Sequence, residues 1–170
     1  MKRLLIIIPI ITSVLFEISS MANTINTVGN TVTVALPITV AGISLKKHDA
    51  DGLKEFLLSL GVAATVTVGL KYAVNEKRPN GRLHSFPSEH AAVAFSSAGY
   101  LWRRYGYAYG IPATLLAGFV GLSRVEAHQH YWHDVLGGAA IGLLSSIAFT
   151  KPLQITCYKH GVEIGYTEKF

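Results

Sequence analysis

The chain has 170 residues, half of them apolar and only 15% charged, a length that suits one core and a composition that points to a bilayer. Its net charge of +5 invites a nucleic-acid reading, but the basic residues form no continuous stripe and greasy sequence separates them, which excludes that partner class. Cys157 is the only cysteine, so neither an intramolecular disulfide nor a cysteine-rich metal site can be built.

In chain order, Lys2 and Arg3 precede an apolar run over residues 4–16, followed by Glu17 and the small residues Ser19, Ser20 and Ala22. This is the layout of a secretory leader. The run is short for a span, which needs about twenty residues, and Glu17 is costly at bilayer depth. Residues 1–22 are therefore expected to be a signal peptide cleaved after Ala22 or, failing that, an N-terminal membrane anchor. Either way the reading keeps Lys2 and Arg3 inside and brings Asn23 out.

Five further apolar segments follow, at residues 28–45, 53–70, 91–102, 107–122 and 135–149. Each is continuous and not alternating, which favours buried or lipid-facing helices over half-exposed strands. The expected fold is all-α, a bundle of five to six apolar helices that spans the membrane. Residues 23–150 make the bundle domain and 151–170 a short C-terminal tail.

The connections sort by charge. Lys46 and Lys47, Arg103 and Arg104, and Lys151 and Lys159 each follow an apolar segment, and these three places read as cytoplasmic under the positive-inside rule. Two longer connections, 72–87 and 123–134, are left on the outer face. Both are rich in Arg, Lys and His, against the rule unless catalysis or anion binding requires it. Tyr105, Tyr107, Tyr109 and Trp132 read as an interfacial aromatic belt.

The outer connections hold three clusters. Lys71, Arg78 and Pro79 make the first, Pro87-Ser88-Glu89-His90 the second, and Ser123-Arg124 with His130 and Asp134 the third. Ser88 precedes an apolar helix and suits an N-cap, so the free N–H groups of the next turn offer an anion site that the helix dipole supports. Lys71, Arg78 and Arg124 can add positive charge, the arginines as planar paired donors that match phosphate oxygens. His130 and Asp134 are four apart, on one face of a helix. A carboxylate bonded to one ring nitrogen fixes the tautomer and leaves the other nitrogen free to attack. His84, His128 and His133 fit no position in these clusters and read as surface or interface histidines. The spacing of His128, His130 and His133 is not that of a recognised zinc set.

Over residues 71–134 the three clusters, in order and with their spacing intact, resemble the signature of the type 2 phosphatidic acid phosphatase family, the acid phosphatase and vanadium haloperoxidase superfamily. The resemblance implies a hydrolase of a lipid phosphomonoester or diphosphate, with no metal and no cofactor. By that resemblance Lys71, Arg78, Ser88, Arg124 and the backbone N–H of Glu89 bind the substrate phosphate. His130 attacks phosphorus, Asp134 orients it, and His90 protonates the leaving alcohol and then activates water. The implied partners are a phosphorylated lipid and the membrane, and the implied location is a bacterial cytoplasmic membrane with the site on its outer face. Phosphatidylglycerophosphate, phosphatidate, undecaprenyl diphosphate and the phosphates of lipid A are all candidate substrates.

Glu89 departs from the pattern, which usually has Gly before the histidine. Its carboxylate is expected to turn away from the phosphate, toward Arg82 or another nearby base. Three other readings stay open: a lipid phosphotransferase, a soluble periplasmic acid phosphatase of the same fold, and a non-catalytic protein that binds anionic lipid.

Overall fold

The computed structural model describes the backbone of residues 4–152, 154–158 and 161–165, and side chains at residue 21 and over 23–152. Five helices carry the architecture: α1 (Leu4–Lys46), α2 (Ala50–Val74), α3 (Glu89–Tyr105), α4 (Tyr107–Glu126) and α5 (Trp132–Phe149). An antiparallel hairpin of β1 (Gln154–Tyr158) and β2 (Gly161–Gly165) follows, paired from Gln154 with Gly165 to Tyr158 with Gly161. The all-α expectation is met, with the hairpin where only a short tail was expected.

The count is five because the leader run and the segment after it form one helix. Nothing between residues 17 and 28 stops it: there is no Pro, and Ser, Asn and Thr are tolerated inside a helix when their side chains satisfy the backbone locally. Thr27, Thr31 and Thr33 do this by donating to the carbonyls four residues back. At 43 residues α1 is about 65 Å long, roughly twice the hydrocarbon thickness of a bilayer. It runs through the expected boundary after Ala22 without a break. Lys2 and Arg3 lie outside the described residues, as does Lys159.

Among the described residues four segments are long and apolar enough to cross a membrane: Asn23–Lys46, Ala50–Val74, Tyr107–Glu126 and Trp132–Phe149. Leu57, Leu58, Leu115, Leu136, Leu144 and Ile147 point outward from them, as lipid-facing residues do. The shorter α3 is the central element and packs on all four others. Its Ala94, Ala98, Tyr100 and Leu101 meet Leu36 and Val40 of α1, Phe56 of α2, and Ala113, Ala117 and Val120 of α4.

Against α5 the packing is closer still. A Cβ on Gly138 would lie 2.2 Å from the Ser88 carbonyl oxygen, and one on Gly142 would lie 2.3 Å from that of Ala92. These two glycines, four apart on one face of α5, let two helix backbones touch. Ser88 N–H, at the start of α3, donates to the Asp134 carbonyl at 2.9 Å.

The two ends of the bundle differ in chemistry. At one end, where α1 passes to α2 and α3 to α4, Arg104 is fully buried and donates from Nε and Nη2 to the two oxygens of Asp49, at 2.7 and 2.6 Å. Glu55 and the Lys151 carbonyl take its Nη1. Tyr105, expected in the aromatic belt, sends its hydroxyl inward to Asp49 and Ser44. At the other end the last turns of α2 and α4 and the first turns of α3 and α5 converge. That end holds the three clusters.

Candidate active site

Asp134 is the anchor. It is the third residue of α5 and wholly buried, and its Oδ2 accepts from Tyr131 N–H at 2.9 Å, from the Ser85 hydroxyl, and from His130 Nδ1 at 3.3 Å. An ionised carboxylate can only accept, so the His130 proton sits on Nδ1 and Nε2 keeps its lone pair. Among the described residues Nε2 makes no hydrogen bond. Burial first, then the charges of Arg78 and Lys71, lower the His130 pKa below its usual value against the opposing pull of Asp134.

Lys71 lies in the last turn of α2, which Asn75 closes in a left-handed conformation, and Arg78 lies in the loop beyond. Both aim at one atom: Lys71 Nζ donates to the His84 carbonyl at 3.2 Å and Arg78 Nη2 donates to it at 3.3 Å. His84 has a φ of 62°, a left-handed conformation that costs a non-glycine residue roughly 1–2 kcal/mol. Its ring nitrogen Nδ1 meets the Lys71 carbonyl, and the ring packs on Tyr72. The strained residue thus holds two cations side by side, and Arg78 Nε remains buried without a partner.

Ser88 caps α3. Its hydroxyl accepts from Ala91 N–H at 3.5 Å, a long bond, and leaves the N–H groups of Glu89 and His90 at the open end of the helix. His90, in the first turn ahead of the apolar part of α3, has its pKa lowered to about 4 by burial and then by the charges of Arg124, Lys71 and Arg78. The same three cations that favour a phosphate disfavour a protonated imidazole. Arg124 is buried against α1, where Nη1 donates to Asn30 Oδ1 at 2.6 Å and Nη2 to the Asn26 carbonyl at 2.9 Å. Ser123 Oγ accepts from both Nε and Nη2. Among the described residues no carboxylate neutralises it. Lys71, Arg78, Ser88, Glu89, His90, Arg124, His130 and Asp134 therefore all gather at one end of the bundle, on four helices and two loops.

The family model of the PAP2 superfamily matches residues 80–154, which hold Ser88, His90, Arg124, His130 and Asp134 and begin just past Lys71 and Arg78. That stretch belongs to the PAP2 superfamily. It is 35% identical over 127 residues to the lipid A 4′-phosphatase of Helicobacter pylori, a match covering 68% of this chain and 64% of that one. To the lipid A 1-phosphatase of Porphyromonas gingivalis it is 38% identical over 78 residues, 44% of this chain and 18% of the relative. The chain thus spans less than two thirds of the curated relatives it matches. Among solved structures, a transmembrane PAP2-type phosphatidylglycerolphosphate phosphatase from Bacillus subtilis superposes with a TM-score of 0.59 at 25% identity, covering 81% of this chain and 84% of that one. LpxE from Aquifex aeolicus superposes with a TM-score of 0.56 at 22% identity, covering 76% of this chain and 92% of that one, and shares the fold.

Four features of this PAP2 site differ from what the sequence suggested. Glu89 is exposed and forms no ion pair with Arg82 among the described residues; the Arg82 N–H bonds Asn80 instead. His84, read as a surface histidine, supplies the carbonyl that Lys71 and Arg78 share. Ser85 and Asn30 were not singled out, and only contacts across 49 and 94 residues reveal them. His133 is exposed, as expected, yet its Nε2 lies between the carboxylates of Glu76 and Asp134. The histidines with His130 do not cluster as a zinc set; Glu76, His133 and Asp134 do converge.

Proposed function

We propose that this PAP2 protein hydrolyses a phosphate ester or diphosphate on a membrane lipid through a phosphohistidine at His130. The observation that carries this reading is the His130–Asp134 pair, with Nδ1 committed to the carboxylate and Nε2 unbonded beside Lys71 and Arg78. The lipid phosphate binds at the start of α3, its oxygens taken by the N–H groups of Glu89 and His90 and by Lys71, Arg78 and Arg124. His130 Nε2 attacks phosphorus in line. The N–P bond forms as the P–O bond to the lipid breaks, and a proton passes from His90 to the departing oxygen. Asp134 stabilises the ring's positive charge. Water then attacks phosphorus, His90 takes its proton, the N–P bond breaks, and inorganic phosphate leaves.

The bound phosphate also resolves the state of His90. Its negative charge offsets the three cations that hold the imidazole neutral in the free protein, so His90 gains its proton as substrate arrives. The names of the two curated relatives favour a lipid A phosphate as substrate. Lys46, Lys47, Arg103, Arg104 and Lys151 lie at the end opposite the site, and under the positive-inside rule this supports a cytoplasmic position for that end and a site on the outer face of a bacterial inner membrane.

The test is release of inorganic phosphate by detergent-purified protein in EDTA, from lipid A, phosphatidylglycerophosphate, phosphatidate and undecaprenyl diphosphate. His130→Ala should bind lipid but lose turnover, and Asp134→Asn should keep a residue of it, because the nucleophile survives. A His130→Ala protein with more than a tenth of wild-type kcat would refute the phosphohistidine. Transfer of the phosphate to a lipid hydroxyl without release would make the protein a phosphotransferase.

A further inference from the structure

Glu76 stands in the loop after α2, whereas His133 and Asp134 stand in the first turn of α5. His133 Nε2 lies 2.9 and 3.2 Å from the two Glu76 oxygens and 3.1 Å from Asp134 Oδ1. One ligand atom from each of the three residues falls within 4.8 Å of the others. A neutral imidazole carries at most one proton on Nε2, and that proton cannot serve two carboxylates at once.

The oxygen left over is Asp134 Oδ1. It belongs to a residue with no exposed surface, and it has no hydrogen-bond partner although His133 Nε2 is near, because the approach is out of line. Oδ2 of the same carboxylate takes three donors, so Oδ1 is the side that remains unsatisfied. A buried anionic oxygen of this kind is costly unless something positive meets it.

A metal ion would. Two ligand atoms at about 2.0–2.2 Å from a zinc-type ion, at tetrahedral or octahedral angles, lie roughly 2.9–3.5 Å apart. The spacings of 2.9 and 3.1 Å around His133 Nε2 fall in that range. The ring also stacks on Phe86 and on Tyr131, at centroid distances of 6.2 and 5.4 Å. One imidazole and two carboxylates balance a divalent charge and suit a borderline ion such as Zn²⁺ over the hard cations, which take oxygen throughout.

We propose that Glu76, His133 and Asp134 bind one divalent transition-metal ion of the zinc type, and that its binding inhibits the enzyme by engaging the carboxylate that supports His130. The inhibitory half rests on the phosphohistidine reading. A dication on Oδ1 draws carboxylate charge away from His130 and opposes the positive ring that forms as the N–P bond is made. The metal-free protein is the active one.

The full chain, purified in detergent and stripped with EDTA, is titrated with Co²⁺ and with Zn²⁺. The expected result is one equivalent bound, seen as visible Co²⁺ absorption that Zn²⁺ displaces, in the wild type and in His130→Ala alike. His133→Asn and Glu76→Gln should weaken binding at least tenfold. Zn²⁺ should lower wild-type kcat at least tenfold, reversibly with EDTA. Glu76→Gln, whose side chain hydrogen-bonds His133 alone among the described residues, should turn over within threefold of wild type in EDTA and need at least ten times more Zn²⁺ for half-inhibition.

Absence of stoichiometric binding to the wild type overturns the proposal, and so does inhibition that Glu76→Gln and His133→Asn leave unchanged. Activation by Zn²⁺ overturns the inhibitory half. If His130→Ala still turns over while metal binding follows Glu76 and His133, the phosphohistidine reading fails and the metal site stands.

Discussion

Gly138→Ala probes the contact that sets the site. The new Cβ would lie 2.2 Å from the Ser88 carbonyl oxygen and 3.1 Å from Ala91 Cβ. Ordinary carbon–oxygen contact needs about 3.3 Å or more, so α3 and α5 must part by roughly 1 Å. Overpacking of that kind costs about 1–3 kcal/mol of stability. The parting also stretches the 2.9 Å bond from Ser88 N–H to the Asp134 carbonyl and draws the start of α3 away from His130. A shift of about 1 Å between reacting groups costs about a hundredfold in rate, so kcat/KM should fall by that factor while the protein stays folded. Phosphate release in EDTA and a thermal melt read the two effects separately. Gly142→Ala, which meets the Ala92 oxygen at 2.3 Å one turn deeper, should cost similar stability and less rate. Gly118→Ala, which meets nothing within 4 Å, is the control. A Gly138→Ala protein within threefold of wild type would refute the argument, as would equal rate losses at positions 138 and 142.

Glu89→Gly should keep kcat/KM within about tenfold of wild type, about 1.4 kcal/mol in the barrier, because the exposed carboxylate makes no hydrogen bond or ion pair among the described residues and reaches Lys71 through its charge alone; a hundredfold change in either direction would give it a catalytic or selective role. The pH profile follows His90. Its pKa is lowered to about 4, so free protein at neutral pH lacks the proton the leaving group needs, and that proton must come with the lipid phosphate or be taken up on binding. Because a phosphate monoester loses its second proton near pH 6, kcat/KM in EDTA should fall about tenfold per unit above roughly pH 6 to 7, and an alkaline plateau up to pH 8 would contradict this. For orientation, single cysteines at Asn80 and Lys47 in a Cys157→Ser background should differ on intact cells, with an impermeant thiol reagent labelling position 80 the more strongly. Stronger labelling at position 47 would reverse the topology.

The helices were legible because each apolar segment is long and bounded by charge or by Gly and Pro. The three clusters were legible because their spacing is local. What the sequence hid is what depends on contacts between distant segments. Asn30 meets Arg124 only because α1 packs beside α4, and nothing in the stretch from Asn23 to Thr31 marks it as more than a polar patch. His84 acts through its carbonyl oxygen, so its side chain carries no signal of that role. The merging of the leader into α1 was missed because apolar patterning reports lipid preference, and the polar stretch between the two runs is helical without being apolar. The Arg82 pairing of Glu89 failed because residue 82 sits on a turn that Asn80 closes.

The buried Arg104–Asp49 pair bears on how the molecule is assembled. A guanidinium enters a bilayer only at considerable cost, and α3 carries Arg103 and Arg104 at one end and Glu89 and His90 at the other, with serines between. Its charge is met by a carboxylate between α1 and α2, by Glu55 on α2, and by a carbonyl beyond α5. During synthesis Asp49 and Glu55 emerge before Arg104, whereas Lys151 emerges last. The charge that α3 carries is thus met only by segments on both sides of it in the chain, and the end of the bundle that holds the three clusters is complete only once α5, the last helix, has packed against α3.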